Sequence, residues 1–202
     1  MSRIYVANHV TLDGVMQAPG RADEDARGGF SRGGWATARS NDEVATALGE
    51  RVMKAGGMRL LLGRRSYDDM LTHWNAQGGP FKDGLNSAPK YVVSASASTT
   101  LLWPNSTLVS GDVSSQVAAL KAADGPDLCV MGSGSLIQAL LASDLIDEFL
   151  LFIHPIILGT GRRLFPDGGA TADLRLLSTS STSTGVAIAS FAVRTASPRA
   201  DR

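Results

Sequence analysis

Two stretches with the same order of features constrain the fold of this 202-residue chain most strongly. Each is a short apolar run, then glycine with polar residues, then the start of a helix: LLLGRRSY at 60–67 and VMGSGSLI at 130–137. Strands that pass directly into helices are typical of α/β proteins. The first N–H groups of a helix lack backbone partners, so they can bind an anion. The alternative is that both loops are only tight turns, because neither is a complete phosphate-binding motif.

The remaining segments continue the alternation of strand and helix. Runs rich in β-branched residues predict strands, and apolar residues that recur every three or four positions predict helices. The predicted strands are 3–10, 58–63, 90–96, 106–111, 127–132 and 148–158, and the predicted helices are 41–55, 64–71, 112–124 and 135–143. Residues 174–193 are interpreted as two antiparallel strands joined around Gly185.

These elements predict a three-layer α/β sandwich with a mostly parallel central sheet and antiparallel C-terminal strands. We expect one domain over residues 1–196 and a flexible tail at 197–202. The segment from Met16 to Asn41 has no periodicity, and a connection of this length is usually disordered or a functional lid. Trp35 within it is a candidate to cover a pocket. Asp42 and Glu43, in the next helix, are either candidate acids or partners of the helix N-terminus.

Composition excludes several classes of function. The 19 basic residues balance the 19 acidic ones, so no bulk charge attracts nucleic acid or an anionic membrane. Cys129 is the only cysteine, which excludes an internal disulfide and a multi-cysteine zinc site, and no metal site is predicted. The N-terminus lacks the apolar stretch of a signal peptide, and the run 148–158 is too short to span a bilayer. We therefore expect a cytoplasmic protein.

An ordered set of motifs resembles a known superfamily over nearly the whole chain. The motifs are TLDG, LLGRRSYDDM, APKYVVS, CVMGSGSLIQALL, DLIDEFLLFIHPIILGTGRRLF and GVAIASFAV. Together they resemble the dihydrofolate-reductase-like superfamily, and within it the branch related to the reductase domain of bacterial riboflavin biosynthesis (RibD C-terminal). The resemblance implies a dihydrofolate-reductase-like fold that binds NADPH with both glycine loops, across the edge of the sheet where the parallel strands end.

The resemblance also assigns cofactor-binding residues. It implies that Gly63 allows close approach, that Ser66 and Arg65 bind phosphate, and that Arg64 and Ser94 lie near the 2′-phosphate that distinguishes NADPH from NADH. The pyrophosphate loop would comprise five consecutive residues, namely Gly132, Ser133, Gly134, Ser135 and Leu136.

On the substrate side, Asn8 and His9 precede the TLDG loop, which the resemblance places beside the nicotinamide. The resemblance also makes Asn8 a candidate cofactor-binding residue. Asp13 in that loop is a candidate catalytic residue, although Asp-Gly is also a common turn. His154, before Pro155 in a buried run, is the second candidate, and the alternative is a buried core histidine.

The function implied is an NADPH-dependent reductase that transfers a hydride to a small heterocyclic substrate, pterin-like or aminouracil-like, or to a carbonyl substrate. The alternatives are a true dihydrofolate reductase and a non-enzymatic protein that binds NADPH. The C-terminal strands are apolar on both faces, at positions such as Ile188 and Phe191, and such edges pair with other chains unless they are covered. We therefore expect a homodimer that buries part of this region together with Phe149 or Phe152.

Overall fold

A computed structural model describes residues 1–194 of the chain. The end of the predicted domain, at 196, and the predicted tail, 197–202, lie outside the described residues. The strands are β1 Ile4–Thr11, β2 Leu60–Gly63, β3 Lys90–Val93, β4 Ser106–Val109, β5 Leu128–Met131, β6 Glu148–His154, β7 Leu174–Ser181 and β8 Ala187–Val193. The α-helices are α1 Asp42–Lys54, α2 Arg64–Gln77, α3 Gly79–Ser87, α4 Val113–Ala122 and α5 Gly134–Ala142.

The eight strands form one sheet in the order β4-β3-β2-β5-β1-β6-β8-β7. The first six strands in this order are parallel, and β8 pairs antiparallel with both β6 and β7. The predicted mostly parallel sheet with antiparallel C-terminal strands is therefore confirmed. Because the parallel strands end at one edge, the loops after β1, β2, β5 and β6 converge there.

Apolar side chains cover both faces of the sheet and produce three layers. On one face, Val117 of α4 and Ile137 of α5 pack with the strands. On the other face, Val44 of α1, Tyr67 of α2 and Leu85 of α3 pack against a second cluster of strand residues. Within residues 1–194, no helix combines the length and apolar character needed to cross a membrane.

Two elements differ from the sequence prediction. Helix α3 was not predicted, because Gly84 lies inside it and its apolar pattern is short; burial of Leu85, which is 0% exposed, stabilises it through tertiary packing. Strand β6 ends at His154 instead of residue 158, since Pro155 has no N–H to donate and Ile156 N–H turns back to bond the His154 carbonyl at 2.8 Å.

The predicted dimer contacts at Phe149 and Phe152 are wrong. These side chains are 0% and 2% exposed because the chain's own elements cover them. The side chains that edge strand β7 does expose include Leu176 and Leu177, at 52% and 40%. The homodimer itself stays a prediction.

A buried ion pair joins α1 to the edge of the sheet where the parallel strands begin. The Arg51 guanidinium donates to Glu148 Oε1 at 2.8 Å and to Asp127 Oδ2 at 3.2 Å, and it lies 3.8 Å from the centre of the Tyr5 ring. The side chains of Arg51 and Glu148 are 7% and 3% exposed. The two charges compensate each other, and the only further cation paired with Glu148 in residues 1–194 is the half-exposed Arg3, whose guanidinium lies 3.4 Å from Glu148 Oε2.

We expect Arg51→Met to lower the free energy of unfolding by about 3 kcal/mol, since Glu148 would remain buried and charged with only the half-exposed Arg3 beside it. Replacing both residues, as Arg51→Met with Glu148→Leu, should recover a large part of that loss. The matched control is Arg194→Met, because its pair with Asp173 is exposed on both sides and should contribute less than about 1 kcal/mol. Urea unfolding measures all three variants, and equal losses for Arg51→Met and Arg194→Met would contradict the prediction.

Candidate functional site

The two glycine loops are bonded directly to each other. Gly63 N–H, after β2, donates to Ser133 Oγ at 2.9 Å, and Ser133 N–H, after β5, donates to Ser66 Oγ at 2.8 Å. The Ser133 hydroxyl in turn donates to the Met131 carbonyl at 3.0 Å. Since β2 and β5 are neighbours in the sheet, these bonds join the starts of α2 and α5 into one surface.

The turn at Gly132 and Ser133 is left-handed and is held by β1. Both residues have positive φ angles, +60° and +56°. Asn8 holds the turn with both ends of its amide: Oδ1 accepts from Gly132 N–H at 2.6 Å, and Nδ2 donates to the Gly132 carbonyl at 3.1 Å. A Cβ at position 132 would lie 2.8 Å from Ser66 Oγ, which is too close. Only glycine therefore fits at this position, for reasons of both backbone angle and space.

The helix N-termini at these loops lack side-chain caps, whereas others in the chain have them. Asn41 and Asp112 cap α1 and α4 by accepting from backbone N–H groups. The N-cap residues of α2 and α5 are Gly63 and Ser133, and neither of these residues makes a side-chain cap bond. Two adjacent helices thus present N–H groups and positive dipole ends at one edge of the sheet, which suits an anionic ligand.

The remaining predicted cofactor residues lie around this surface, and they differ in whether their side chains already have bonding partners. Arg65 is exposed, but Arg64 Nε donates to Asp68 Oδ2 at 2.5 Å, so its charge already has a partner on α2. Ser94 follows β3, whose Val93 pairs in register with Gly63. The Ser94 hydroxyl shares a hydrogen bond of 2.7 Å with Thr99.

The long segment after β1 is ordered, with two short 3-10 helices at Arg27–Gly29 and Thr37–Arg39. Gln17, which is 4% exposed, organises it. Its Oε1 accepts from Arg162 N–H at 2.9 Å, and its Nε2 donates to the Asp25 and Arg27 carbonyls. The segment is therefore a folded cover, as the lid alternative predicted.

Three contacts place this cover over the site. The Trp35 indole donates to the Gln17 carbonyl at 2.8 Å, and the centroids of the Trp35 and His154 rings lie 5.3 Å apart with the rings nearly perpendicular. Arg21 pairs with Asp69 of α2 at 2.5 Å. A Cβ at Gly134 would lie 2.9 Å from Met16 Sδ, so Met16 packs directly on the start of α5.

Asp13 joins two loops and is poorly suited to donate a proton. Its carboxylate accepts from the Thr11 hydroxyl at 2.6 Å, from Leu158 N–H at 3.2 Å and from Gly159 N–H at 2.8 Å. The Thr11 hydroxyl and these N–H groups lower the pKa of Asp13 to about 2. The geometry gives this carboxylate an anchoring role between the turn after β1 and the loop after β6. Glu43 is similarly engaged, because it accepts from the Ser183 backbone and hydroxyl.

His154 forms a pair with His9 that the sequence did not predict. His9 Nδ1 lies 2.9 Å from His154 Nε2, and the His9 ring stacks on Phe152 at 5.0 Å between centroids. His154 is 0% exposed, whereas His9 is partly exposed. The pairing depends on the register of β1 and β6, which places Thr11 opposite His154. His9 lies two residues before Thr11 and therefore on the same face of the sheet as His154. The only sequence signal was that both histidines precede loops predicted at the site.

Burial keeps both histidines neutral. It lowers the pKa of His9 to about 4, with the charge of His154 as a second cause. Burial likewise lowers the pKa of His154 to about 4, with the charge of Arg39 as a second cause. Near neutral pH the pair therefore carries no charge and shares one proton between the rings.

We predict that stability falls as the pH is lowered from about 6.5 to about 4. The unfolded chain binds protons at these histidines in that window and the folded protein does not, so each contributes a slope of up to about 1.4 kcal/mol per pH unit. Above this window their contribution is constant. Urea unfolding at several pH values should show a flatter slope for His154→Gln than for the natural protein.

The control for this measurement is Gly168→Ala, which changes the backbone of an exposed turn and removes no titratable group. It should lower stability equally across this pH range and keep the slope of the natural protein. An unchanged slope in His154→Gln would contradict the assignment of the acid dependence to the pair.

The fold and the joined loops define a dihydrofolate-reductase-like α/β protein, and comparisons with known proteins identify the family. The chain belongs to the RibD C-terminal domain family, whose model matches residues 3–188. YyaP, an uncharacterised protein of Bacillus subtilis, is 30% identical over 132 residues, which are 63% of this chain and 69% of that protein.

Two solved structures share the fold. Dihydrofolate reductase of Enterococcus faecalis, complexed with NADP(H), has a TM-score of 0.59, with 10% identity over 95% of this chain and 94% of that one. A diaminohydroxyphosphoribosylaminopyrimidine deaminase/5-amino-6-(5-phosphoribosylamino)uracil reductase of Thermotoga maritima has a TM-score of 0.62 and 16% identity, over 96% of this chain and 57% of that one. The predicted dihydrofolate-reductase-like fold and the relation to the riboflavin branch are thereby confirmed.

Proposed function

We propose that the protein is an NADPH-dependent reductase that transfers a hydride to a small heterocyclic or carbonyl substrate. The observation that carries the proposal is the pair of uncapped helix N-termini joined through Ser133. Membership of the RibD C-terminal domain family supports a reductase, and the Thermotoga and Enterococcus proteins of the same fold are reductases by name.

The residues at the joined loops fit a dinucleotide. The N–H groups at the starts of α2 and α5 would bind its phosphates, and the absence of a side chain at Gly63 and Gly132 allows close approach. Ser66 Oγ accepts from Ser133, so its own proton remains available for a phosphate oxygen. Arg65 supplies an exposed positive charge beside the same helix start. When bound, the reduced nicotinamide would supply a hydride.

The substrate would lie beside the nicotinamide, under the cover formed by the segment after β1. Trp35 and the two histidines enclose the ends of β1 and β6 there, and enclosure excludes water from the reacting atoms. Aminouracil-like and pterin-like heterocycles are the substrate classes that the family membership and the fold favour.

Titration of the protein with NADPH, followed by cofactor fluorescence, tests the binding part of the proposal. Oxidation of NADPH with a panel of pterins, aminouracil phosphates and simple carbonyls tests the reaction. Turnover of dihydrofolate would identify a true dihydrofolate reductase, and saturable NADPH binding without any turnover would favour the non-enzymatic alternative. Absence of saturable binding at micromolar concentrations would overturn the proposal.

Gly132→Ala should weaken NADPH binding by about tenfold or more, equal to about 1.4 kcal/mol, because the new Cβ would push Ser66 away from Ser133. The matched control is Gly168→Ala: its φ is +70°, but no atom lies within 4 Å of the added Cβ. Both variants should lose about 1–2 kcal/mol of stability for the left-handed backbone, while only Gly132→Ala loses affinity. Equal affinities in the two variants would contradict the assignment of the loop.

Arg64→Ala should weaken NADPH about ten- to a hundredfold and leave NADH nearly unchanged, since only NADPH carries the 2′-phosphate. Asp68→Asn is the complementary variant, because it removes the carboxylate that Arg64 now contacts and frees the guanidinium. It should leave NADPH binding as tight as before or tighter. Equal weakening of both cofactors by Arg64→Ala would exclude this role for Arg64.

We also propose that the protein is a homodimer. Edge strand β7 is exposed along nearly its whole length and carries the exposed side chains of Leu176 and Leu177. Such an edge pairs readily with a second copy of itself. Light scattering should give about twice the 21.1 kDa mass of the chain, and the mass of one chain would overturn this proposal.

A further inference from the structure

The His9–His154 pair gives a specific hydrogen-bonding pattern at the ends of β1 and β6. Only one proton can lie between His9 Nδ1 and His154 Nε2, which are 2.9 Å apart. The two remaining nitrogens differ in their surroundings. His154 Nδ1 is buried and has no hydrogen-bond partner among residues 1–194, whereas His9 Nε2 makes no hydrogen bond to these residues and is not fully buried by them.

This difference assigns the protons. If His9 donated to His154, the second proton of the pair would sit on His154 Nδ1, as a buried N–H without a protein acceptor. If His154 donates to His9, the unpartnered atom is a bare lone pair, which is the less costly of the two. His154 therefore carries its proton on Nε2, and His9 carries its own on Nε2, where it points away from the pair.

Neighbouring contacts hold the donor in place. The His9 ring stacks on Phe152, and the edge of Trp35 packs on the His154 ring. Asn8, the preceding residue on β1, bonds the Gly132 turn through both ends of its amide. Consecutive residues of one strand thus reach the cofactor loop and the region beneath the cover, which fixes the distance between the two.

We propose that His9 is a catalytic residue that donates a hydrogen bond from Nε2 to the carbonyl oxygen or ring nitrogen of the bond being reduced, and that His154 is the positioning residue that fixes the tautomer of His9. The assignment rests on the proposed reductase function. It selects substrates that present an uncharged C=O or C=N acceptor, because a neutral imidazole offers one donor and no charge.

The electron and proton balance of the step is simple. A hydride with its electron pair is added to the carbon of the C=O or C=N bond, and the π pair of that bond moves to the oxygen or nitrogen. The nicotinamide is oxidised and the substrate is reduced. The His9 N–H stabilises the developing negative charge, and a proton from water completes the product, so that His9 stays neutral throughout.

Histidine-ring nitrogen NMR of the free protein near neutral pH tests the tautomers without any turnover. We expect a proton on Nε2 of both His9 and His154, and a bare Nδ1 on His154. Addition of 5-aminouracil at millimolar concentration should shift the His9 Nε2 signal and leave His73 unchanged. A proton on His154 Nδ1, or no shift at His9, would overturn the inference.

Kinetics of three variants test the two roles with the substrate found in the panel. His9→Phe keeps the ring on Phe152 but removes the donor, so kcat should fall about a hundred- to a thousandfold while NADPH affinity is unchanged. His154→Leu removes the proton given to His9 and should lower kcat about ten- to a hundredfold. His154→Gln should restore most of that loss, since an amide N–H can replace the donor.

The outcomes separate the inference from the proposed function. Full kcat in His9→Phe would overturn the inference and leave the reductase proposal intact. Failure of the natural protein to oxidise NADPH with any substrate would overturn the reductase proposal and with it the catalytic role of His9. The tautomer assignment would not be affected, because the NMR spectrum tests it separately. If His154→Gln and His154→Leu lose activity equally, His154 does not act by positioning the proton of His9.

Discussion

The hydroxyl and N–H of Ser133 form the connection on which the site depends. They bond Gly63 and Ser66 across neighbouring strands, and so they set two helix N-termini side by side instead of leaving two separate turns. The connection requires a left-handed backbone at Gly132, and Asn8 stabilises that backbone from β1. Three strands therefore supply one rigid surface, in which each loop fixes the position of the other.

Charged groups are arranged differently at the two edges of the sheet. Where the parallel strands begin, Arg51 and Glu148 are buried and paired with each other, and Asp127 and Arg3 extend the pair to its exposed side. Where the strands end, Asp13 and Arg64 have partners, Arg65 is exposed, and uncapped N–H groups remain at α2 and α5. Concentrating compensated charge at one edge stabilises the fold, and the other edge retains the dipoles that a ligand can use.

The sequence predicted those parts of the molecule that depend on neighbouring residues. The strands, four of the helices and both glycine loops follow from local apolar spacing and from glycine, and motif order was enough to identify the family. Two contacts instead depend on strand order and register. Ser133 bonds Gly63, which is 70 residues away, and His9 contacts His154, which is 145 residues away. Gln17 gave no signal because its role lies in contacts to carbonyls of an aperiodic segment.

The engaged state of the carboxylates favours histidine for the donor role that we propose. Asp13 accepts three hydrogen bonds between two loops, and Glu43 is bonded to Ser183, so both carboxylates are held as anions by structural partners. An anion at the reacting bond would oppose the negative charge that hydride addition creates there. A neutral N–H does the opposite, since it stabilises that charge without bringing one of its own. In the proposed reaction the pair of His9 and His154 would supply such a donor, because burial keeps both rings neutral and the contact with His154 fixes the direction of the His9 N–H.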